Sequence, residues 1–172
     1  MASLTLLTGG AASGKSTRAV ELAKALGPRI LFVATCIARD DEMRAKVARH
    51  RAERPASWTT VEASKKIAAL LVGGFDGAVV DCLTLLISQM LVEDWSDSDI
   101  LAEIDGLSHA AKLSPYPVIV VTNEVGMGLV PDTPLGRRFR EVAGRANRIV
   151  AEAADTVELM VSGIPWSIKH AR

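Results

Sequence analysis

The strongest constraint in this sequence lies between Leu4 and Thr17, where LTLLTGGAASGKST carries an apolar stretch straight into a glycine-rich turn. Gly9-Gly10-Ala11-Ala12-Ser13-Gly14-Lys15-Ser16 matches G-x-x-x-x-G-K-[ST], the pattern of a phosphate-binding loop between a strand and a helix. Glycine lets the backbone turn so tightly that successive N–H groups point inward at phosphate oxygens. A helix beginning near Lys15 adds the positive end of its dipole. Lys15 is then placed to reach the β- and γ-phosphates, and the Ser16 hydroxyl to help hold Mg²⁺. A glycine-rich turn with a chance lysine is the plainer alternative, but it leaves the apolar run before and the alanine-rich helix after unexplained. The expectation is a protein that binds a nucleoside triphosphate.

Length allows one domain. The 172 residues, taken as residues 1–172, are enough to bury a sizeable core. A hydrophobic fraction of 49% and a mean hydropathy of +0.23 exclude a disordered chain. Lys and Arg number 20 and Asp and Glu 20, so no global field draws the protein to nucleic acid or to an anionic membrane. Cys36 and Cys82 each follow a β-like run and form no metal-type pair, so the simplest expectation is a reduced, cytoplasmic setting. No signal peptide and no membrane span are expected, and there is no internal repeat.

Along the chain, strand-like and helix-like segments alternate. Thr17 to Leu26 carries Ala19, Leu22, Ala23 and Leu26 at helical spacing and ends at Gly27-Pro28. Arg29 to Thr35 is a continuous apolar run, as in a strand buried on both faces. In Arg39 to Glu53 the residues Met43, Val47 and His50 share one helical face. A short β-like piece at Trp58 to Val61 precedes an expected helix from about Ser64 to Leu71. Gly77 to Asp81 reads as a buried strand ending in a carboxylate, followed by a helix over Leu83 to Leu91 and an acidic loop over Glu93 to Asp99. Then come a helix over Ile100 to Leu113, a strand over Pro117 to Thr122, and a long helix with Leu135, Phe139, Val142, Ala146 and Ile149 on one face. A strand at Thr156 to Ser162 and an edge piece at Trp166 to Lys169 end the pattern. This alternation implies an α/β fold: a mostly parallel, RecA-like sheet with helices on both faces and a C-terminal edge strand. Ligands of such sheets sit at the carboxyl ends of the strands, where Gly9, Thr35, Asp81 and Asn123 would gather.

Asp81 at a strand end suits a second Mg²⁺ anchor beyond Ser16, the alternative being an N-cap for the helix that follows. For His50, spacing alone favours a structural or solvent-facing residue. The functional alternative is a nucleophilic imidazole in the cation-rich run RHRAER. The Thr122–Gly128 loop, with Asn123 and Glu124, is either a substrate contact or a plain connection, and its position favours the former. Arg137, Arg138, Arg140, Arg145 and Arg148 lie off the apolar face of their helix. They read first as a solvated face partly paired with Glu141 and Glu152, and second as an anion or partner site.

Several blocks together resemble one family. They are TGGAASGKS at 8–16, VAT after the second strand, DDEM at 40–43, HRAERPASWTTVE at 50–62, VVDCLTLL at 79–86, VTNEVGMGLVP at 121–131, GRANR at 144–148 and VSGIP at 161–165. The set is similar to the bifunctional adenosylcobinamide kinase/adenosylcobinamide-phosphate guanylyltransferases of cobalamin biosynthesis, across nearly the whole chain. VTNEVGMG is the most specific block. The resemblance implies phosphorylation of the aminopropanol hydroxyl of adenosylcobinamide, then guanylyl transfer from GTP through a guanylylated histidine. His50 matches that histidine, which reverses the reading from spacing. Nucleotide contacts are expected from Gly9, Gly10, Ala11, Ala12, Ser13, Gly14, Lys15 and Ser16. Ala34, Thr35, Cys36, Arg51, Arg54, Glu62 and Asp81 are expected to add to them. Lys15 and His50 would be catalytic, Ser16 and Asp81 would hold Mg²⁺, and ATP and GTP would be substrates. Similar proteins form trimers in the cytoplasm with nucleotide near the subunit boundaries, and no nucleic-acid or membrane partner is implied. This chain departs from its likenesses at Ala12, where they often carry Arg, and at Asp81, where some carry Glu. The rivals are a phosphate-loop kinase for another small molecule and a RecA-like regulatory or nucleic-acid-handling protein. Zero net charge and 4% aromatic residues count against the latter.

Overall fold

A computed structural model describes residues 3–36 and 54–170. The expected helical segment over Arg39 to Glu53, with His50 and Arg51, lies outside the described residues. The apolar runs become strands: β1 (Leu4–Gly9), β2 (Ile30–Ala34), β3 (Thr59–Glu62), β4 (Gly77–Asp81), β5 (Val118–Val121), β6 (Thr156–Val161) and β7 (Ile164–Lys169). Between them run α1 (Lys15–Leu26), α2 (Leu83–Val92), α3 (Asp97–Leu113) and α4 (Pro134–Ala153). The strands form one sheet in the order β3-β2-β4-β5-β1-β6-β7, and every neighbouring pair is parallel except β6 with β7.

Successive side chains of a strand face opposite sides, and the continuous apolar runs use both. Leu4, Leu6, Leu31, Val33, Ala78, Val80, Val118 and Val120 join a large core with α2, α3 and α4. Their alternates Leu7, Phe32, Val79, Ile119 and Val121 join a smaller core with Ala19 and Ala23 of α1 and with Trp58. Alanines at positions i and i+4 let α1 lie close to the sheet, which is where the phosphate loop needs it. The edge strands are different in kind: β3 has no buried residue, and β7 leaves Ile164, Trp166 and Ile168 exposed in one row.

The edge strand β7 begins at Ile164, not at Trp166 as the sequence suggests, because the turn needs only Ser162 and Gly163. Two other departures have local causes. The expected helix over Ser64 to Leu71 is a single 3₁₀ turn, Ile67–Leu70, because one turn is enough to seat Ile67, Leu70 and Leu71 against the core and Gly73-Gly74 follow at once. The expected acidic loop over Glu93 to Asp99 is shorter, since Ser96 caps α3 by accepting from the amide of Asp99 and Asp97 already lies in its first turn. Carboxylates in a first turn complement the helix dipole, so acidity there marked a helix start and not a loop. At α4, Thr133 caps in the same way and Pro134 takes the first helical position.

Asp155 ties three elements together. Its carboxylate accepts from the amide of Leu4 (2.8 Å) and from Lys112 at the end of α3, while its own amide donates to the Leu4 carbonyl. The bond from Lys112, then that from Leu4, hold this carboxyl below its usual 3.8. A carboxyl depressed in the native state adds stability above its unfolded pKa and loses it as the pH falls through the native one. Asp155→Asn is expected to lower the urea midpoint by a steady margin from neutrality to about pH 5, and the margin should close below 3.8. A margin unchanged in strong acid would show that the carboxylate charge is not what Asp155 contributes.

Candidate active site

The parallel ladder delivers four strand ends to one edge of the sheet: Gly9 from β1, Thr35 just past β2, Asp81 from β4 and Asn123 just past β5. This is the gathering expected from the sequence.

Four carbonyls of the loop after β1 find donors. Gly9 accepts from the amide of Glu124, Gly10 from the Lys15 ammonium, Ser13 from the amide of Gly163 and Gly14 from the amide of Arg18. The loop makes a hydrogen-bonded turn at Ala11-Ala12, and the amides of Gly10, Ala11, Ala12 and Gly14 donate to no acceptor among the described residues, the kind of donor an anion would meet. Gly9 (φ +149°) must be glycine, because a Cβ there would lie 2.5 Å from the Met160 carbonyl oxygen. Gly14 (φ +92°) stands at the N-cap of α1. Ala12 also sits at φ 54°, a strain of about 1–2 kcal/mol for a residue with a Cβ.

Lys15 is 7% exposed, and its ammonium also reaches Ser13 Oγ at 3.3 Å. Burial lowers its pKa, and the charge of Asp81 acts against that, so Asp81 and Lys15 share one site. Ser16 lies beside Lys15 in the first turn of α1. Asp81 is not a helix cap: Cys82 occupies that position before α2, with no side chain capping it, and the capping alternative falls away. Thr35 (1% exposed) locks this turn, accepting from the Cys82 amide at 2.7 Å and donating to the Cys82 carbonyl at 2.6 Å. Burial, with the Asp81 charge adding to it, holds the Cys82 thiol protonated, so it is no nucleophile.

On the other side of β1, the β6–β7 hairpin closes on the loop. Ser162 (φ 51°) and Gly163 (φ 83°) are its two central residues, both left-handed as a type I′ turn demands. The block VSGIP is therefore a hairpin tip whose Gly163 braces Ser13. Arg18 in α1 adds a two-pronged ion pair to Glu158 of β6 at 2.9 and 3.0 Å.

Asn147 was not foreseen. It is buried in α4 among Val142, Ala143, Ala146 and Val150, accepts from Thr122 Oγ1 (2.7 Å) and donates to the Asn123 carbonyl (3.1 Å). Asn123 in turn donates to Thr84 Oγ1 at 2.7 Å. The available signal was an amide on the apolar face of a helix, inside GRANR. The arginines of α4 are also more than a solvated face. Arg140 donates to the Gly126 carbonyl, Arg137 to those of Pro131 and Asp132, and Arg138 to Asp97 and the Trp95 carbonyl. They fasten the 126–132 loop and α3. Only Arg148, 3.6 Å from Glu152, keeps the pairing expected.

The remaining expected nucleotide residues are spread out. Arg54 Cζ lies 3.4 Å over the Phe32 ring, whose other neighbour is Trp58 at 6.3 Å, so this arginine is pinned on an aromatic pair. Glu62 ends β3, four strand spacings or about 19 Å across the sheet from the β1 end. Ala34 is buried at the end of β2, and Cys36 follows Thr35. His50 and Arg51 are outside the described residues.

A parallel sheet with a strand–loop–helix anion cradle, a buried lysine and a facing carboxylate defines a phosphate-loop enzyme. The model of the family "cobinamide kinase / cobinamide phosphate guanyltransferase" matches residues 5–168. The bifunctional adenosylcobalamin biosynthesis proteins CobU of Salmonella typhimurium and of Escherichia coli are each 39% identical, covering 96% of this chain and 99% of the relative. The bifunctional protein CobP of Pseudomonas aeruginosa is 37% identical, covering 95% of this chain and 96% of its own length. The chain belongs to the cobinamide kinase/cobinamide phosphate guanyltransferase family and is a transferase.

Asn147→Leu keeps the volume and removes the partners of Thr122 and of the Asn123 carbonyl, which costs about 1–3 kcal/mol for buried polar groups left unpaired. A urea titration is expected to show a loss of that size, and an unchanged midpoint would mean that the clamp is not needed.

Proposed function

We propose that this chain phosphorylates adenosylcobinamide on its aminopropanol hydroxyl and then transfers GMP from GTP to that phosphate, giving adenosylcobinamide-GDP and pyrophosphate. One observation carries the reading: a buried Lys15 in electrostatic reach of Asp81 heads a phosphate loop, in a chain that matches the family from residue 5 to residue 168.

For the first step, ATP or GTP lies with its phosphates on the loop amides and at the N-terminus of α1. Lys15 exchanges the Gly10 carbonyl for β- and γ-phosphate oxygens and stabilises the charge that builds up there. Thr35 keeps the Asp81–Cys82 turn in place. Mg²⁺ is the implied metal, with Ser16 Oγ and the Asp81 carboxylate as its protein ligands. No group of three or more His, Cys, Asp or Glu forms a cage among the described residues, which fits an ion that completes its shell with phosphate oxygens and water. It would neutralise phosphate charge.

For the second step, a His50 ring nitrogen attacks the α-phosphorus of GTP. A P–N bond forms and pyrophosphate leaves. An oxygen of the corrinoid phosphate then attacks the same phosphorus, and the imidazole is released. Arg51 and Arg54 supply positive charge, and Glu62 meets the guanine nucleotide. The protein works in the cytoplasm as a homotrimer, and the exposed row Ile164, Trp166 and Ile168 on β7 is a surface that such an assembly could cover. No helix among the described residues is long and apolar enough to cross a membrane.

The test is incubation with Mg²⁺ and GTP labelled at the α-phosphate. Acid-labile, alkali-stable label is expected on denatured wild type and not on His50→Ala. If wild type binds GTP and takes up no label, the covalent step is absent and a plain phosphate-loop kinase is the better reading.

A further inference from the structure

Between the phosphate loop and the end of β6 lies an open recess of about 370 Å³. Residues 10–13 and 159–162 line it together with Glu124 and Met127. Among these residues Glu124 is the one ionisable side chain. Its amide donates to the Gly9 carbonyl at 2.9 Å, so the carboxylate is carried by the same strand ends that carry the loop. Its Oε1 accepts from the Gly126 amide at 2.7 Å, while its other oxygen takes no hydrogen bond among the described residues. A Cβ on Gly126 would come within 2.8 Å of Oε1, so glycine there is what lets the carboxylate fold back.

We propose that this recess receives the alcohol arm of the phosphoryl acceptor, and that Glu124 takes the proton of its hydroxyl. This rests on the kinase reading above. Three features support it. The recess borders the loop at Gly10, whose carbonyl holds the lysine that would grip the γ-phosphate. A carboxylate repels a second phosphate and accepts a hydroxyl proton, so the chemistry suits a neutral alcohol and not another nucleotide. The volume is near the low end for ligand pockets, so an arm enters and a macrocycle stays outside. The exposed sides of the lining residues Met127 and Val161, 83% and 51% exposed, and of Leu129, 96% exposed, offer it apolar surface.

In the step itself, the acceptor O–H bond breaks and the proton passes to the free oxygen of Glu124. The acceptor oxygen bonds to the γ-phosphorus. The bond from that phosphorus to the bridging oxygen breaks, and a nucleoside diphosphate leaves with the electron pair. Glu124 returns its proton to solvent when the product departs.

The experiment measures phosphorylation of adenosylcobinamide by γ-labelled nucleotide with the intact protein. Glu124→Gln is expected to lower kcat by about 10²–10⁴-fold, the usual contribution of a general base, with nucleotide Kd held within about twofold. Glu124→Asp should recover part of the loss. Met127→Asp, on an exposed rim, is expected to raise the KM for the corrinoid by on the order of tenfold. Turnover by Glu124→Gln within about threefold of wild type overturns the proposal and leaves the kinase reading standing. A Met127→Asp variant with unchanged corrinoid KM overturns the placement of the acceptor. If wild type phosphorylates no cobinamide, the kinase reading falls and the acceptor site falls with it.

Discussion

The amide of Glu124 donates to the carbonyl of Gly9, and the amide of Gly163 donates to that of Ser13, at 2.9 and 3.0 Å. In both bonds the phosphate loop contributes an oxygen. That choice is forced, because a loop that binds phosphate must keep its amides for the ligand and can only be supported through its carbonyls. The two donors come from opposite sides: Glu124 follows β5, Gly163 follows β6, and β5 and β6 are the neighbours of β1 in the sheet. The sheet order therefore sets a brace on each side of the loop, and preorganised donors are what charge stabilisation requires.

A second set of contacts holds the adjoining strand ends. Thr122, Asn123, Asn147 and Thr84 form a chain of hydrogen bonds at the end of β5, and Thr35 holds the turn after Asp81 at the end of β4. These groups are buried, and buried polar groups are tolerated where they are paired. They fix a backbone, and a backbone so fixed sets where Asp81 and Glu124 point. The arginines of α4 continue the same task outward, through the carbonyls of Gly126, Pro131 and Asp132. The loop 121–131 is held at many points along its length, which suits a role in meeting substrate.

Legibility in the sequence followed how local each cause is. The phosphate loop was readable because its glycines and lysine answer to requirements within a few residues, and Gly9 and Gly14 do adopt the conformations that glycine permits. Apolar runs gave the buried strands, and helical spacing gave α1, α2, α3 and α4. The reading failed at Ser64 to Leu71, where a few apolar residues suggested a helix and a single turn was enough to seat Ile67. It failed again at Asp97, where acidic residues taken as a loop were the first turn of α3. Asn147 was visible only as part of a block and Gly163 only as a turn residue, since their partners lie 24 or 25 and 150 positions away.

By itself, then, the sequence determined the elements, the two-sided burial of the central strands and the chemistry of the loop after β1. These follow from side-chain periodicity and from backbone freedom, which act over a few residues. Tertiary structure alone decided that β5 and β6 flank β1, that the Ser162–Gly163 turn braces the loop, and that Glu124 shares a recess with it. Strand order is chosen by which apolar faces pack together across the whole sheet, and no window of sequence contains that information.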